Sequence, residues 1–258
     1  MDEKHDLIAN FDLKIICDFF RQLDRQGPGS ESETLKALGF IKGLPINAKI
    51  ADIGCGTGGQ TITLAKNISG KITAVDLFPG MIEYLNNRVK HCGFENRVSG
   101  LIASMDSLPF SKNEFDLIWA EGSIYHIGFE RGLSEWRKFL KQNGFIAVTE
   151  VTWLTNNRPN KIENYWNENY PEINTVSHKI KQMEQAGYIP LATFVLPESC
   201  WIDNFYKPMA DHLKDFIKQQ NYSKSAQQFV IRQKEEIAYY EQYKKYFGYV
   251  FYIGQKYE

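Results

Sequence analysis

The stretch Asp52-Ile53-Gly54-Cys55-Gly56-Thr57-Gly58-Gly59-Gln60 sets one carboxylate and four glycines on a single turn between an apolar run and a helix-forming run. Glycine adopts backbone conformations closed to other residues and lets a ligand approach main-chain N–H groups at a helix N-terminus. This is the chemistry of a nucleotide-cofactor turn. Gly54, Gly56 and Gly59 have the G-x-G-x-x-G spacing, which by itself leaves the cofactor open. The position of Asp52 discriminates. A dinucleotide pyrophosphate is repelled by a carboxylate at the strand end, whereas the ammonium and sulfonium of S-adenosylmethionine are attracted to it. Asp76 closes the next apolar run, where a carboxylate accepts from both ribose hydroxyls; nicotinamide enzymes do the same, so it marks adenosine only. A purely structural role, with Asp52 capping the turn, stays open.

The elements that must hold these residues follow from periodicity. Apolar positions from Leu7 to Leu23 recur at helical spacing over residues 5–25, and Gly27-Pro28-Gly29 ends that helix. Ser30 with Glu33 forms a capping box for a second helix. Strands are expected at 49–53, 71–75, 98–103, 115–120 and 144–151, with helices at 59–68, 79–92 and 132–139 between them. Strand and helix in alternation imply a parallel sheet with helices on both faces and ligands at the C-terminal strand edge. After that the rhythm breaks: helix 177–186, strand 190–196, a long polar helical stretch at 205–246, and an aromatic strand at 249–253.

Further along, Ser104-Met105-Asp106-Ser107-Leu108-Pro109-Phe110 follows the third strand, and Phe115-Asp116-Leu117-Ile118 opens the fourth. With the glycine turn and Asp76 these make four ordered motifs. Over roughly residues 45–155 the chain resembles the class I S-adenosylmethionine-dependent methyltransferases acting on small molecules, including the ubiquinone and menaquinone methyltransferase relatives. The resemblance implies an α/β, Rossmann-like, doubly wound and mostly parallel seven-stranded sheet with an antiparallel last strand. It implies S-adenosylmethionine as cofactor, S-adenosylhomocysteine as product, and no metal. It also implies that Asp106 accepts from the adenine amino group and that Met105 gives a neighbouring backbone contact. Asp52, Gly54, Cys55, Gly56, Gly58, Gln60, Asp76, Leu77, Ser104, Glu121 and Gly122 complete the expected cofactor set. Met81 either packs on the adenine or is plain helix core.

Methyl transfer from a sulfonium is an in-line displacement, so alignment is the protein's main task, and a base helps only where the acceptor must lose a proton. Glu121-Gly122-Ser123-Ile124-Tyr125-His126 follows the fourth strand at the substrate mouth. His126 is the natural base or substrate orienter, with Glu121 and Tyr125 in support, unless it is simply a structural histidine. The segment lacks the Asn/Asp-Pro-Pro-Tyr/Phe tetrapeptide of enzymes that methylate adenine or glutamine amides. The whole of 1–258 is read as one domain: 1–44 a helical lid, 45–200 with 248–258 the core, and 201–247 a helical insertion. Lid and insertion would exclude water, with Gln26-Gly27-Pro28-Gly29-Ser30 touching cofactor or substrate.

Composition narrows the partners. The chain has 258 residues, 43% hydrophobic and 24% charged, with a net charge of −1, so it offers no field for a phosphate backbone. Nucleic acid is not expected, nor is a membrane, and the N-terminal stretch lacks signal-peptide character, which points to the cytoplasm. Cys17, Cys55, Cys92 and Cys200 are scattered and read as free thiols. Trp153, Tyr165, Trp166, Tyr170 and Trp201 either fill a core or line a substrate site. The expected partner is a small-molecule methyl acceptor, on a monomer or homodimer. Two alternatives remain: an adenosylmethionine-binding protein without transfer activity, and a nicotinamide-dependent oxidoreductase.

Overall fold

Strand β1 (Lys49–Ile53) is buried at four consecutive positions, the signature of a strand covered on both faces. The computed structural model, which describes residues 13–257, builds a mostly parallel sheet around it. On one side lie β2 (Lys71–Asp76) and β3 (Val98–Ile102), on the other β4 (Phe115–Ala120) and β5 (Leu140–Trp153), all parallel. The last strand, β8 (Phe247–Lys256), inserts antiparallel between β5 and β7 (Tyr188–Val195). Its nine registered pairs with β5 run from Phe145 opposite Gln255 to Trp153 opposite Phe247. The order β3-β2-β1-β4-β5-β8-β7 accounts for the seven expected strands, and a two-residue strand, β6 (Asn174–Thr175), adds an eighth on the far end of β5.

Helices α3 (Gly59–Asn67), α4 (Pro79–His91), α5 (Phe129–Trp136) and α7 (Val176–Gln185) are the crossovers that return the chain to a parallel strand. Gly128, at φ +90°, turns the chain into α5 three residues before the predicted start, and the segment ends in a short 3-10 turn at Arg137–Phe139. A helix not expected from the sequence, α6 (Asn160–Asn169), lies between β5 and β6.

Alternate residues of the strands divide the core. Ile50, Leu117, Trp119 and Phe251 pack with the N-terminal and C-terminal helices, whereas Ala51, Ile118, Val148 and Tyr252 pack with α5 and α7. The polar stretch expected at 205–246 begins earlier and is broken. It comprises α8 (Glu198–Trp201), a π-helical turn at Ile202–Tyr206, α9 (Lys207–Gln219) and α10 (Lys224–Tyr243). Asn221 and Tyr222, both at positive φ, separate α9 from α10.

The predicted helix over 5–25 begins outside the described residues; what is described of it is α1 (Leu13–Phe20). Phe19 of α1, fully buried, packs 5.0 Å from the rings of Phe216 and Phe229, so α1 is docked onto α9 and α10. Burial of such a side chain contributes about 2–3 kcal/mol. Helix α2 (Glu31–Gly39) starts at the expected cap, with Ser30 Oγ accepting from Glu33 N at 3.1 Å. No helix among the described residues is long and apolar enough to cross a membrane.

Candidate functional site

The C-terminal ends of β1, β2 and β4 meet over the glycine turn. Gly54, Gly56 and Gly58 have φ of +74°, +53° and +86°, so the turn uses the left-handed conformations that glycine supplies without strain. Its main-chain donors are all committed within the protein. Gly54 N and Cys55 N donate to Val75 O at 2.8 and 2.9 Å, Gly56 N to Asp76 Oδ2 at 3.0 Å, Thr57 N to Gln26 Oε1 at 2.9 Å, and Gly58 N to Cys55 O at 2.9 Å. The expectation of open N–H groups along this turn is therefore corrected: residues 54–58 offer no row of free donors to a pyrophosphate.

Asp76 stands at the end of β2 and also accepts from Phe78 N at 3.0 Å. Burial pushes its carboxyl up, opposed by the donors of Phe78, Gly56 and Leu77. The next side chain, Leu77, is 52% exposed, and Ile102 at the end of β3 is 54% exposed. Two bare apolar side chains beside a carboxylate suit a planar base attached to a ribose.

The direct contact expected between Asp52 and a cofactor cation is also corrected. Asp52 is fully buried, with Oδ2 accepting from Thr61 Oγ1 at 2.5 Å and Oδ1 from Gln60 Nε2 at 3.2 Å. Burial drives its carboxyl up to about 7. Asp52 and Gln60 thus tie β1 to the first turn of α3, and Asp52 presents no surface to a ligand. Cys55, likewise buried, turns its thiol toward Gly56 O.

The segment after α1 covers this turn. The Gln26 amide donates to Phe20 O, Leu23 O and Thr57 Oγ1 at 3.0, 2.9 and 3.0 Å, and lies where a Cβ on Gly56 would have to sit. Arg25 Nη1 reaches Glu121 Oε2 at 2.9 Å. Glu121 Oε1 accepts from Thr34 Oγ1 at 2.6 Å and from Trp119 Nε1 at 2.9 Å. Glu121 therefore serves as an anchor for the N-terminal segment; the expectation that it supports His126 is corrected. Asn204 of the π-helical turn completes the cover by donating to Gly29 O at 2.9 Å.

Ser104, Met105 and Asp106 stand beyond β3 as expected. Ser104 Oγ and Asp106 Oδ2 are 3.3 Å apart, Trp136 Nε1 donates to Met105 O at 3.3 Å, and the exposed Asp106 pairs with Arg131 at 2.8 Å. Met105 Cε lies 3.5 Å from the position of a Cβ on Gly54, so its side chain overhangs the turn. Met81, 4% exposed, is buried but belongs to neither core cluster. Gly122 N donates to Thr149 Oγ1 at 2.7 Å, and Ser123 Oγ to Ile53 O at 2.7 Å, which pins the loop after β4 against β1 and β5.

Tyr125 and His126 occupy a 3-10 turn on that loop, with ring centroids 4.1 Å apart. His126 keeps exposed surface, and desolvation by the protein atoms around its ring lowers it to about 4. Its hydrogen bond within the described residues is by the backbone, His126 N to Ser123 O at 3.1 Å. At neutral pH the ring is uncharged and able to accept a proton. Burial and the charges of Glu236 and Glu150 raise the Tyr125 phenol well above its usual range.

Two features were missed in the sequence. Glu150 and Lys179, both fully buried, form an ion pair at 2.9 Å, with Tyr170 donating to the same Glu150 oxygen at 2.6 Å. Glu236 of α10 accepts from Tyr206 at 3.0 Å inside a group of aromatic rings. The partners are 29 and 30 residues apart, on separate elements, and no spacing rule reaches that far. Two surface hollows, one around Ile180, Met183 and Leu191 and one around Ile46, Gly70 and Arg97, lie at the β7 edge and at the N-terminal ends of β1 and β2, away from the C-terminal strand ends. The converging groups, not these hollows, mark the candidate site.

Residues 50–144 match the family described as methyltransferase domain. Among curated proteins, methyltransferase GfsG of Streptomyces halstedii is 29% identical over 104 residues, covering 40% of this chain and 37% of that protein. Demethylmenaquinone methyltransferase of Symbiobacterium thermophilum is 32% identical over 108 residues, covering 40% and 42%. The chain thus matches less than half the length of these relatives. A solved S-adenosylmethionine-dependent methyltransferase from Geobacter sulfurreducens, in complex with S-adenosylhomocysteine, superposes with a TM-score of 0.80 at 15% identity, over 93% of this chain and 96% of that one. That likeness establishes the fold.

Proposed function

We propose that this chain, whose residues 50–144 match the methyltransferase domain family, is a class I S-adenosylmethionine-dependent enzyme that transfers a methyl group to O, N or C of a small molecule. The observation that carries this reading is the turn itself. Its donors from Gly54 to Gly58 are spent inside the protein, which disfavours a pyrophosphate, while Asp76 and the exposed Leu77 offer what an adenosine needs. When bound, S-adenosylmethionine supplies a methyl group on sulfonium sulfur, and the electron pair of the breaking S–C bond stays on sulfur.

The protein's own residues do the rest. Asp76 holds the ribose hydroxyls, Leu77 and Met81 flank the base, and Ser104, Met105 and Asp106 border its edge. Gly54, Gly56, Gly58 and Gly122 keep Cβ atoms out of the approach, while Asp52, Cys55 and Gln60 shape the turn from behind. Arg25, Gln26 and Asn204 close over the turn and exclude water, so that lid (1–44), core (45–200 with 248–258) and insertion (201–247) act as one domain. His126, uncharged at neutral pH, takes a proton from the acceptor or orients it, with Tyr125 packed against its ring.

The test is incubation of the purified chain with methyl-labelled S-adenosylmethionine and pools of small metabolites. The account expects a labelled small molecule together with S-adenosylhomocysteine. Cofactor binding with no labelled product from any pool would favour the binding-only alternative.

A further inference from the structure

Two carboxylates, the fully buried Glu150 and the half-buried Glu236, are treated differently by the fold. Glu150 has a cation of its own, Lys179, at 2.9 Å. Glu236 has no basic side chain in ion-pairing distance among the described residues; the Tyr206 hydroxyl, at 3.0 Å, is its hydrogen-bond partner. Arg232, one turn earlier on α10, acts on Tyr165 instead.

The shell around Glu236 is aromatic. Tyr206, on the π-helical turn, touches the carboxylate, and burial together with that charge raises the phenols of Tyr125 on the loop after β4, Tyr165 on α6 and Tyr249 on β8, which lie nearby. Tyr249 closes one end: its Cε2 lies 3.3 Å from where a Cβ on Gly122 would be, so the shell adjoins the loop at the substrate mouth. Trp201, 3% exposed, packs 4.8 Å from Tyr249 and 5.8 Å from Tyr206, and its buried Nε1 has no hydrogen-bond partner among the described residues. Trp166, 5.5 Å from Tyr165, also leaves a buried Nε1 unpartnered.

We propose that Glu236 and the surrounding tyrosines form the acceptor subsite, and that the acceptor it takes is a cationic amine. The step rests on the methyltransferase reading for what becomes of the bound amine, but the recognition stands on the shell's own chemistry. A half-buried carboxylate with no counter-charge among the described residues attracts an entering ammonium, which supplies that charge. Tyrosine faces attract a cation and give nothing comparable to an anion. An anionic acceptor would be repelled by Glu236 and, from across the sheet end, gains no help from Lys179, which is already paired.

The experiment is calorimetric titration of the full chain, saturated with S-adenosylhomocysteine, with tetramethylammonium and with its neutral shape-mate 2,2-dimethylpropan-1-ol. Saturable binding of the cation, no binding of the alcohol, and at least about a tenfold loss of cation affinity in Glu236→Gln are expected. Absence of saturable cation binding, equal binding of the alcohol, or a change below twofold in Glu236→Gln would overturn the proposal. Circular dichroism checks that the variant folds. If it does not, Tyr165→Leu, at a half-buried position, replaces it, with an expected loss of about fivefold and the same criterion for rejection. Failure of S-adenosylhomocysteine to bind is read separately in the same cell and counts against the methyltransferase reading alone.

Discussion

The guanidinium of Arg25 lies 2.9 Å from the carboxylate of Glu121, fastening the segment after α1 to the end of β4. Both side chains are largely withdrawn from water, at 13% and 3% exposure, so this pair is screened far less than a surface ion pair. Arg25→Ala leaves Glu121 with Thr34 and Trp119 and is expected to destabilise the chain by about 2 kcal/mol. Thermal unfolding should then fall by about 4–8 °C, and the KM for S-adenosylmethionine should rise because the cover over Thr57 loosens. Unchanged melting and KM would show that the pair holds nothing.

A second prediction concerns Asp52. Its carboxyl sits at about 7 in the folded chain, against an ordinary value of 3.8. The unfolded chain therefore ionises first. The stability this group contributes is complete below pH 4 and is lost as pH climbs through about 7. Asp52→Asn keeps the shape without the titration, so the variant should gain on the wild type across that window, by up to about 4 kcal/mol at about 1.4 kcal/mol per unit. Denaturant unfolding at pH 4, 5.5 and 7.5 measures it; parallel stabilities for the two proteins would contradict the assignment.

His126 is held at about 4 by the crowding around its ring. As a base it is active in its neutral form, so kcat should stay level from pH 8 down through pH 5 instead of bending near 6.5. His126→Ala should lower kcat by about 100-fold, with little change in S-adenosylmethionine affinity. A wild-type profile bending near 6.5, or full turnover in the variant, would remove His126 from the chemistry.

The residues legible in the sequence are those whose roles are local. Gly54, Gly56 and Gly58 had to turn, Asp76 had to end a strand, and Ser30 had to cap α2; each follows from neighbours within a few positions. The strand alternation was legible for the same reason, whereas the antiparallel last strand was an expectation of the family resemblance. What escaped was set by contacts across the fold. Glu121 lies on the loop with His126, yet its oxygens are claimed by Arg25 and Thr34, 96 and 87 residues away. Asp52 has the charge to attract a cofactor cation but is sealed under α3 by Thr61 and Gln60. The break between α9 and α10 did leave a trace: Asn221-Tyr222-Ser223 supplies a turn and then a cap, with Ser223 Oγ accepting from Ala226 N at 3.3 Å.

The central claim is that the turn and Asp76 receive S-adenosylmethionine. Calorimetric titration of the wild type and of Asp76→Ala with S-adenosylmethionine, S-adenosylhomocysteine and NAD tests it most directly. The account predicts binding of the first two, none of NAD, and about a 100-fold weakening in the variant, as expected for losing charge-assisted hydrogen bonds to a ribose. Binding of NAD alone, or equal affinity in Asp76→Ala, would contradict it.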